Sequence, residues 1–276
     1  MKSVRLDELL LERYALPSLD FARALILEGR VLSGGRKCTS AGERMKPDAP
    51  LRVLGEMDPY VSRGAHKLKR ALEAFSIDVQ GKTCLDVGAS TGGFTDVMLR
   101  AGAKHVYAVD VGYNLLDYRL RSDARVTAME RTNARFLTPE DFPVPPEFGA
   151  TDVSFISLKA VLPAVLGVFP GENASFVALI KPQFEAPKEL VGEKGVVRDF
   201  ETHCMVVEDL VNFVPKTGWH VAGLDFSPIT GPEGNIEFLL YITKEPNLTA
   251  NMHKYTIFDT INAAYDKLIK SSKQGL

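Results

Sequence analysis

The sequence predicts an α/β protein whose main body is a doubly wound, mostly parallel sheet with its last strand antiparallel, preceded by a small α+β module. Three observations carry this. From Gly81 onward, short apolar runs alternate with helical segments, the pattern of parallel βαβ units. An apolar run ending at Val87 passes directly into Gly88-Ala89-Ser90-Thr91-Gly92-Gly93, and glycine-rich strand-to-helix loops let backbone approach a ligand where a Cβ would clash. The first 55 residues instead hold two helical segments followed by short strands.

Taken in order, residues 3–14 set Val4, Leu6, Leu9, Leu10 and Leu11 among charges at helical spacing. Ser18 is placed to cap a second helix, which buries Phe21, Ala22, Leu25 and Ile26 and ends at Gly29. Val31-Leu32 and Leu51–Leu54 read as strands, with a turn at Gly34-Gly35. Residues 1–56 then form one module, 57–62 a linker around Asp58-Pro59, and 63–276 the main domain. A helix from Gly64 carries Leu68, Ala71, Leu72 and Phe75 on its buried side. Strands are expected at Thr83–Val87, His105–Val109, Val126–Met129, Thr151–Phe155, Ser175–Ile180, Val221–Phe226 and Glu237–Ile242. Helices are expected over Thr95–Ala101, Leu115–Arg121, Leu158–Val168, 201–214 and from Tyr255. The link Ser227–Asn235 is too short for a crossover helix, so the last two strands should be antiparallel.

Composition narrows the function classes. The chain has 276 residues, 45% hydrophobic and 25% charged, as an ordinary globular protein has. Its net charge of −2 conceals a split. Residues 1–70 carry 14 Lys and Arg against 9 Asp and Glu, and the remainder 19 against 26. A basic leading module is compatible with a polyanionic partner. Cys38, Cys84 and Cys204 show no CxxC spacing, which argues against a disulfide scaffold or zinc ribbon and for a reducing compartment. No apolar run approaches the ~18 residues of a membrane span, and the first residues lack a signal-peptide core. The expected setting is the cytoplasm, without membrane insertion or an obligate protein partner.

The glycine loop narrows the ligand. A dinucleotide turn would read G-x-G-x-x-G, but Ser90 makes the spacing G-x-x-x-G-G, and no Gly-Lys-Ser/Thr follows to form a phosphate loop. What remains is Asp86, two residues before Gly88, and Asp110 at the end of the next strand. S-adenosyl-L-methionine suits this set, because it has no pyrophosphate but carries a zwitterionic methionine end and a ribose diol. The loop Gly88, Ala89, Ser90, Thr91, Gly92 and Gly93, with Phe94 and Thr95 opening the helix, can hold its carboxylate on backbone N–H groups. Asp86 then attracts its amino group, directly or through water. Asp110, with Val111 beside it, can accept the ribose hydroxyls, and Asn133 sits where an adenine edge would be read. The alternative is a tight βα turn with ordinary surface acids.

Four charged residues stand where a core would resent them: Lys67 near the start of its helix, Asp152 before Val153-Ser154-Phe155-Ile156, Lys181 after Phe176–Ile180, and Glu237 before Phe238–Tyr241. The carboxyl ends of parallel strands face the ligand crevice, so Asp152 and Lys181 converge there, and an antiparallel strand would start Glu237 at the same edge. Two lysines with two carboxylates can hold a hydroxyl for attack. A free lysine of pKa ~10.4 must fall to ~7–8 to serve as a base; burial and a second lysine lower it, while carboxylates raise it and fix its geometry. The alternative is a pair of structural salt bridges.

Together with GASTGGF, SRGAHKL, DVSFISL and KPQFE, these four residues resemble the TlyA family, which couples an FtsJ-like, Rossmann-like methyltransferase domain to an N-terminal RNA-binding module of ribosomal-protein type. Arg5-Leu6-Asp7, Phe21–Ile26 and Glu28–Leu32 match the pattern of that module, and the resemblance spans about residues 3–243. It implies 2′-O-methylation of ribosomal RNA, at cytidine, within ribosomal subunits, with S-adenosyl-L-methionine as donor and no metal. It further implies that Lys181 activates the 2′-hydroxyl, that Asp152 and Glu237 orient the lysines, and that Lys67 helps hold the ribose.

A hydroxyl inside folded RNA requires the nucleotide to be flipped out of its stack; Phe155 is read as packing on the cofactor or flipped base, or as core. Candidate RNA contacts are Arg5, Arg23, Arg30, Lys37 and Arg44 in the first module, and Arg63 and Arg131 near the site. Arg198 is expected at the mouth of the site. Two other classes compete: a membrane-active haemolysin, a label members of this family have carried, and a non-catalytic rRNA-binding assembly factor.

Overall fold

The computed structural model describes residues 3–14, 16, 19–54, 58, 60–248 and 254–270; the expected cap at Ser18 lies outside them. The chain divides into two compact units, Met1–Pro59 and Tyr60–Leu276.

The first unit runs β1 (Val4–Arg5), α1 (Leu6–Arg13), α2 (Leu19–Leu27), β2 (Val31–Ser33), β3 (Arg36–Lys37), β4 (Arg44–Met45) and β5 (Leu51–Val53). Val4 belongs to a strand rather than to the first helix, because it pairs with Met45 in an antiparallel β1–β4 ladder that overrides its helical spacing. A second sheet has the order β3-β2-β5. Leu6, Leu10, Leu25, Ile26 and Val31 close the core between helices and strands. Asp7 is buried beneath this surface and pairs with Arg5 at 2.8 Å and Arg23 at 3.0 Å. The Arg5 guanidinium above all, assisted by Arg23 and opposed by burial, holds the Asp7 carboxyl down at about 2.

The second unit continues with α3 (Ala65–Ala74), β6 (Thr83–Val87), α4 (Gly93–Arg100), β7 (His105–Val109), α5 (Tyr118–Arg121), β8 (Val126–Met129), β9 (Phe148–Thr151), α6 (Leu158–Gly167), β10 (Ser175–Ile180), α7 (Pro182–Glu185), α8 (Phe200–Phe213), β11 (His220–Phe226), β12 (Phe238–Thr243) and α9 (Lys254–Tyr265). Its seven strands order as β11-β12-β10-β9-β6-β7-β8. Pairs from β10 to β8 are parallel, while β12 is antiparallel to both β10 and β11. Chain order reverses beside β6, the switch point at which open α/β sheets form their ligand crevice. Successive residues of β6 point to opposite faces: Cys84 packs with α3 and α4, Leu85 and Val87 with α6, α8 and α9. Helices cover both faces, which is why β10 reads as six continuous buried residues.

Two elements differ from expectation. The strand expected at Thr151–Phe155 is β9, Phe148–Thr151. Its Gly149 is required by packing, since a Cβ there would lie 2.6 Å from the Phe176 ring and 2.7 Å from Phe169. The chain leaves the sheet after Asp152, whose N–H still donates to the Val87 carbonyl, and Phe155 takes a left-handed φ of +63°. Helix α5 begins only at Tyr118, because the Asp117 carboxylate accepts the Arg119 N–H as its cap. Among the described residues no helix is long and apolar enough to cross a membrane.

Candidate active site

The glycine loop folds against its own protein as much as toward a ligand. Gly88 and Ala89 donate their N–H groups to the Val109 carbonyl, and Ser90 N–H donates to Asp110 Oδ2 at 2.8 Å. Gly88 has φ +82°, and a Cβ on it would lie 2.9 Å from the Asp152 carbonyl oxygen. Gly92, at φ +96°, would collide with Leu120 and Leu116, and Gly93 with Ser62 Oγ. At Gly88, Gly92 and Gly93 the missing side chains also admit neighbouring protein groups. Asp86 is fully buried, and its Oδ2 accepts from Thr95 N at 2.8 Å and Thr95 Oγ1 at 2.6 Å. Its Oδ1 has no hydrogen-bond partner. Burial pushes the Asp86 carboxyl up to about 7, with the Thr95 hydrogen bonds opposing and the charges of Asp152 and Asp110 adding to the rise.

The four charged residues meet as one chain. Glu237 Oε2 lies 2.8 Å from Lys67 Nζ, Lys67 Nζ 3.2 Å from Asp152 Oδ2, and Asp152 Oδ1 2.6 Å from Lys181 Nζ. Sheet register explains the meeting. Ile180 is paired with Phe238 across β10 and β12, so Lys181 and Glu237 emerge side by side where the parallel strands end. Asp152 follows β9 at that edge, and the first turn of α3 brings Lys67 over it. Burial would lower the Lys67 pKa, but the Asp152 and Glu237 carboxylates override it and raise it above the ordinary lysine value. Burial raises Glu237, only 1% exposed, against the pull of Lys67.

Both sets line one cavity of about 560 Å³, a volume suited to a small-molecule ligand. Asp86, Gly88, Ala89, Ser90, Thr91, Gly93 and Phe94 line it together with the four charged residues; Gly92, Thr95, Asp110, Val111 and Asn133 do not. Asp110 fixes the loop, its Oδ1 accepting Gly112 N–H while Oδ2 accepts Ser90 N–H. Asn133 caps a short turn by accepting Arg135 N–H, and Val111 is exposed. Phe155 is 91% exposed, lines the cavity and stands 5.1 Å from the ring of Phe184. Arg198 is absent from the lining, where Lys194 stands in the wall; the Arg198 carbonyl accepts from the Tyr265 hydroxyl. Arg63 is exposed, and Arg131 lies over the Tyr113 ring at 4.3 Å.

Several site residues escaped the sequence reading. Ser154 Oγ accepts from Lys181 Nζ at 2.8 Å; its position two after Asp152 was the available signal. Gln183, Phe184, Lys194 and Asn235 also line the cavity; the KPQFE motif was the available signal for the first two, and nothing local marks Lys194 or Asn235. Glu185, in the same motif as Lys181, accepts from Ser157 Oγ and Leu158 N and so anchors α6.

Residues 60–244 match the model of the FtsJ-like methyltransferases. The chain belongs to that family. This methyltransferase is 44% identical over 242 residues to the 16S/23S rRNA (cytidine-2′-O)-methyltransferase TlyA of Mycobacterium tuberculosis, covering 87% of this chain and 90% of that one. It is 40% identical over 240 residues to Hemolysin A of Brachyspira hyodysenteriae, covering 86% and 99%. A solved structure described as a haemolysin, from Streptococcus thermophilus, superposes with a TM-score of 0.77 at 40% identity over 99% of each chain. The methyl donor is S-adenosyl-L-methionine. The residues present fit it: the orphaned Asp86 Oδ1 awaits a donor such as an amino group, and it lies against the loop of Gly88 to Thr91 in the shared cavity.

Proposed function

We propose that this methyltransferase modifies the 2′-hydroxyl of a cytidine in ribosomal RNA. The observation that carries the reading is the Glu237–Lys67–Asp152–Lys181 chain lining the same cavity as the glycine loop. The substrate named for the Mycobacterium tuberculosis relative supports it.

S-adenosyl-L-methionine brings a methyl group already activated on a positively charged sulfur. The chain has only to present a nucleophile in line, and such positioning can supply about 7–11 kcal/mol of the barrier. Lys67, its pKa raised by two carboxylates, keeps its ammonium at neutral pH and holds a ribose oxygen. Lys181, held by Asp152 Oδ1 and Ser154 Oγ, takes the 2′-hydroxyl proton as the oxygen–methyl bond forms and the methyl–sulfur bond breaks, the bonding pair leaving with sulfur as a neutral thioether. Exposed Phe155 offers its ring to a flipped base.

The direct test maps methylation. Ribosomal subunits lacking the modification, incubated with the enzyme and labelled donor, should yield label as a 2′-O-methylnucleoside after nuclease digestion. Label on a base would sink the reading.

Asp86 makes donor binding pH-dependent. With a pKa near 7, it must lose its proton to pair with an amino group, so affinity should fall up to about tenfold per pH unit below neutrality. Titration calorimetry should show Asp86→Asn binding weakly and without that slope. In the free enzyme the sign is opposite. A folded pKa above the unfolded ~3.9 means stability is lost as pH rises from about 4 to 7.

The first unit is proposed to grip rRNA phosphates. Arg5 and Arg23 are committed to buried Asp7, and Arg30 donates to the Leu54 carbonyl, so removing these tests folding as well as binding. Exposed Lys37 and Arg44 are the pair that leaves the buried Asp7 untouched, although Arg44 donates to the Ser3 carbonyl at 3.0 Å. Lys37→Ala with Arg44→Ala should lower the slope of log affinity against log salt by about 2; an unchanged slope in a filter-binding titration counts against the RNA module.

A further inference from the structure

The segment joining α7 to α8 takes no part in the charged chain, yet Val191, Lys194 and Gly195 form a wall of the cavity. Lys194 and Gly195 both adopt positive φ, +59° and +71°. A lysine persists in that region only where its surroundings impose it. Asn235 imposes it here. Its Nδ2 donates to the Gly195 carbonyl at 2.9 Å, and its Oδ1 accepts the Val197 N–H at 2.9 Å. Gly192 N–H donates to the Val196 carbonyl and closes the turn. Asn235 is buried and stands two residues before Glu237, so the turn is clamped to the approach of β12.

Lys67 and Lys181 are both consumed by Asp152. Lys194 is exposed and, among the described residues, enters no ion pair, although Glu233 shares its wall. The glycine loop that serves the donor belongs to β6 and α4. Lys194 belongs to the other half: it follows β10, which presents Lys181, and is clamped to the strand that presents Glu237. A free cation fixed on that half meets the acceptor, and the charge an RNA acceptor brings beside its ribose is phosphate.

We propose that Lys194 contacts a backbone phosphate next to the methylated nucleotide and that Asn235 is the positioning residue that aims it. This rests on the ribose-methylation reading. The test is steady-state kinetics on ribosomal subunits with saturating donor, across a salt series, for Lys194→Ala, Asn235→Ala and the double variant. Lys194→Ala should raise the RNA KM about fivefold near 0.1 M salt, leave kcat within about twofold, and flatten the log KM against log salt slope by about 0.7–1. Lys194→Arg should restore it. Asn235→Ala should reproduce the KM effect, and the double variant should be no worse than the worse single one. Gly195→Ala has open space around its Cβ but a φ of +71°, so it strains the turn without touching β12 and should raise KM as well. An unchanged KM and salt slope in Lys194→Ala, a shift in donor affinity instead, or multiplying effects in the double variant would overturn the proposal. If the wild-type product is not a 2′-O-methylnucleoside, the underlying reading fails; if it is, and Lys194→Ala behaves as wild type, only this inference does.

Discussion

Lys181→Ala should reduce methyl transfer by about 10³-fold or more, the upper range for loss of a general base, while donor affinity stays within a few-fold. The split follows from placement. Lys181 Nζ is bound by Asp152 and Ser154, which the proposed reading puts on the acceptor side, with Asp86 and the loop from Gly88 to Thr91 on the donor's. Lys181→Arg separates two roles. An arginine preserves the positive charge but cannot release its proton, so it should be nearly as inactive as alanine if Lys181 takes the hydroxyl proton. Single-turnover rates decide this. An active arginine variant would mean that Lys181 acts only as a fixed charge, and a large loss of donor affinity would mean that it builds the donor pocket.

The residues on which that prediction depends were legible in the sequence for a physical reason. Strands buried on both faces read as nearly continuous apolar runs, so Thr83–Val87, His105–Val109 and Ser175–Ile180 have the same bounds in sequence and structure, as does the less buried edge strand Val126–Met129. A charge at the end of such a run, like Lys181, is visible at once. The short link before Glu237 fixed the direction of β12, and with it the edge at which Glu237 emerges.

Legibility failed where tertiary packing decides. Phe148-Gly149-Ala150-Thr151 has too little apolar pattern to announce a strand, and Gly149 is explained only by Phe176 and Phe169 above it. The apolar run from Val153 to Ile156 imitates a strand, yet Phe155 is turned out to the cavity in a left-handed conformation. Local preference gives way at the site, where such conflicts are expected. Asp110 was found for its position at the end of β7, while its hold on Ser90 and Gly112 shows only in the structure. Asn235 and Lys194 matter only because a loop some 40 residues upstream of Asn235 folds back onto it, through Gly195 and Val197.

Lys67→Met should destabilise the second unit by about 3–5 kcal/mol at neutral pH, the range for breaking a buried ion pair from one side. Glu237 is 1% exposed and its nearest cation is Lys67; without it the carboxylate stays buried and uncompensated. The loss depends on pH with a definite sign. Burial already raises the Glu237 pKa, and removing Lys67 raises it further. The unfolded chain releases this proton near the ordinary ~4.3, the folded variant only well above that, so destabilisation grows as pH rises between the two values. Urea denaturation at a series of pH values should therefore show the deficit growing as pH rises above the ordinary carboxylate range. Adding Glu237→Gln removes the stranded charge and should recover most of the stability at higher pH, without recovering activity, because the proposed mechanism needs Lys67 to hold the ribose. Equal deficits across the series, or no recovery in the double variant, would show that Glu237 is not held as an ionised partner of Lys67.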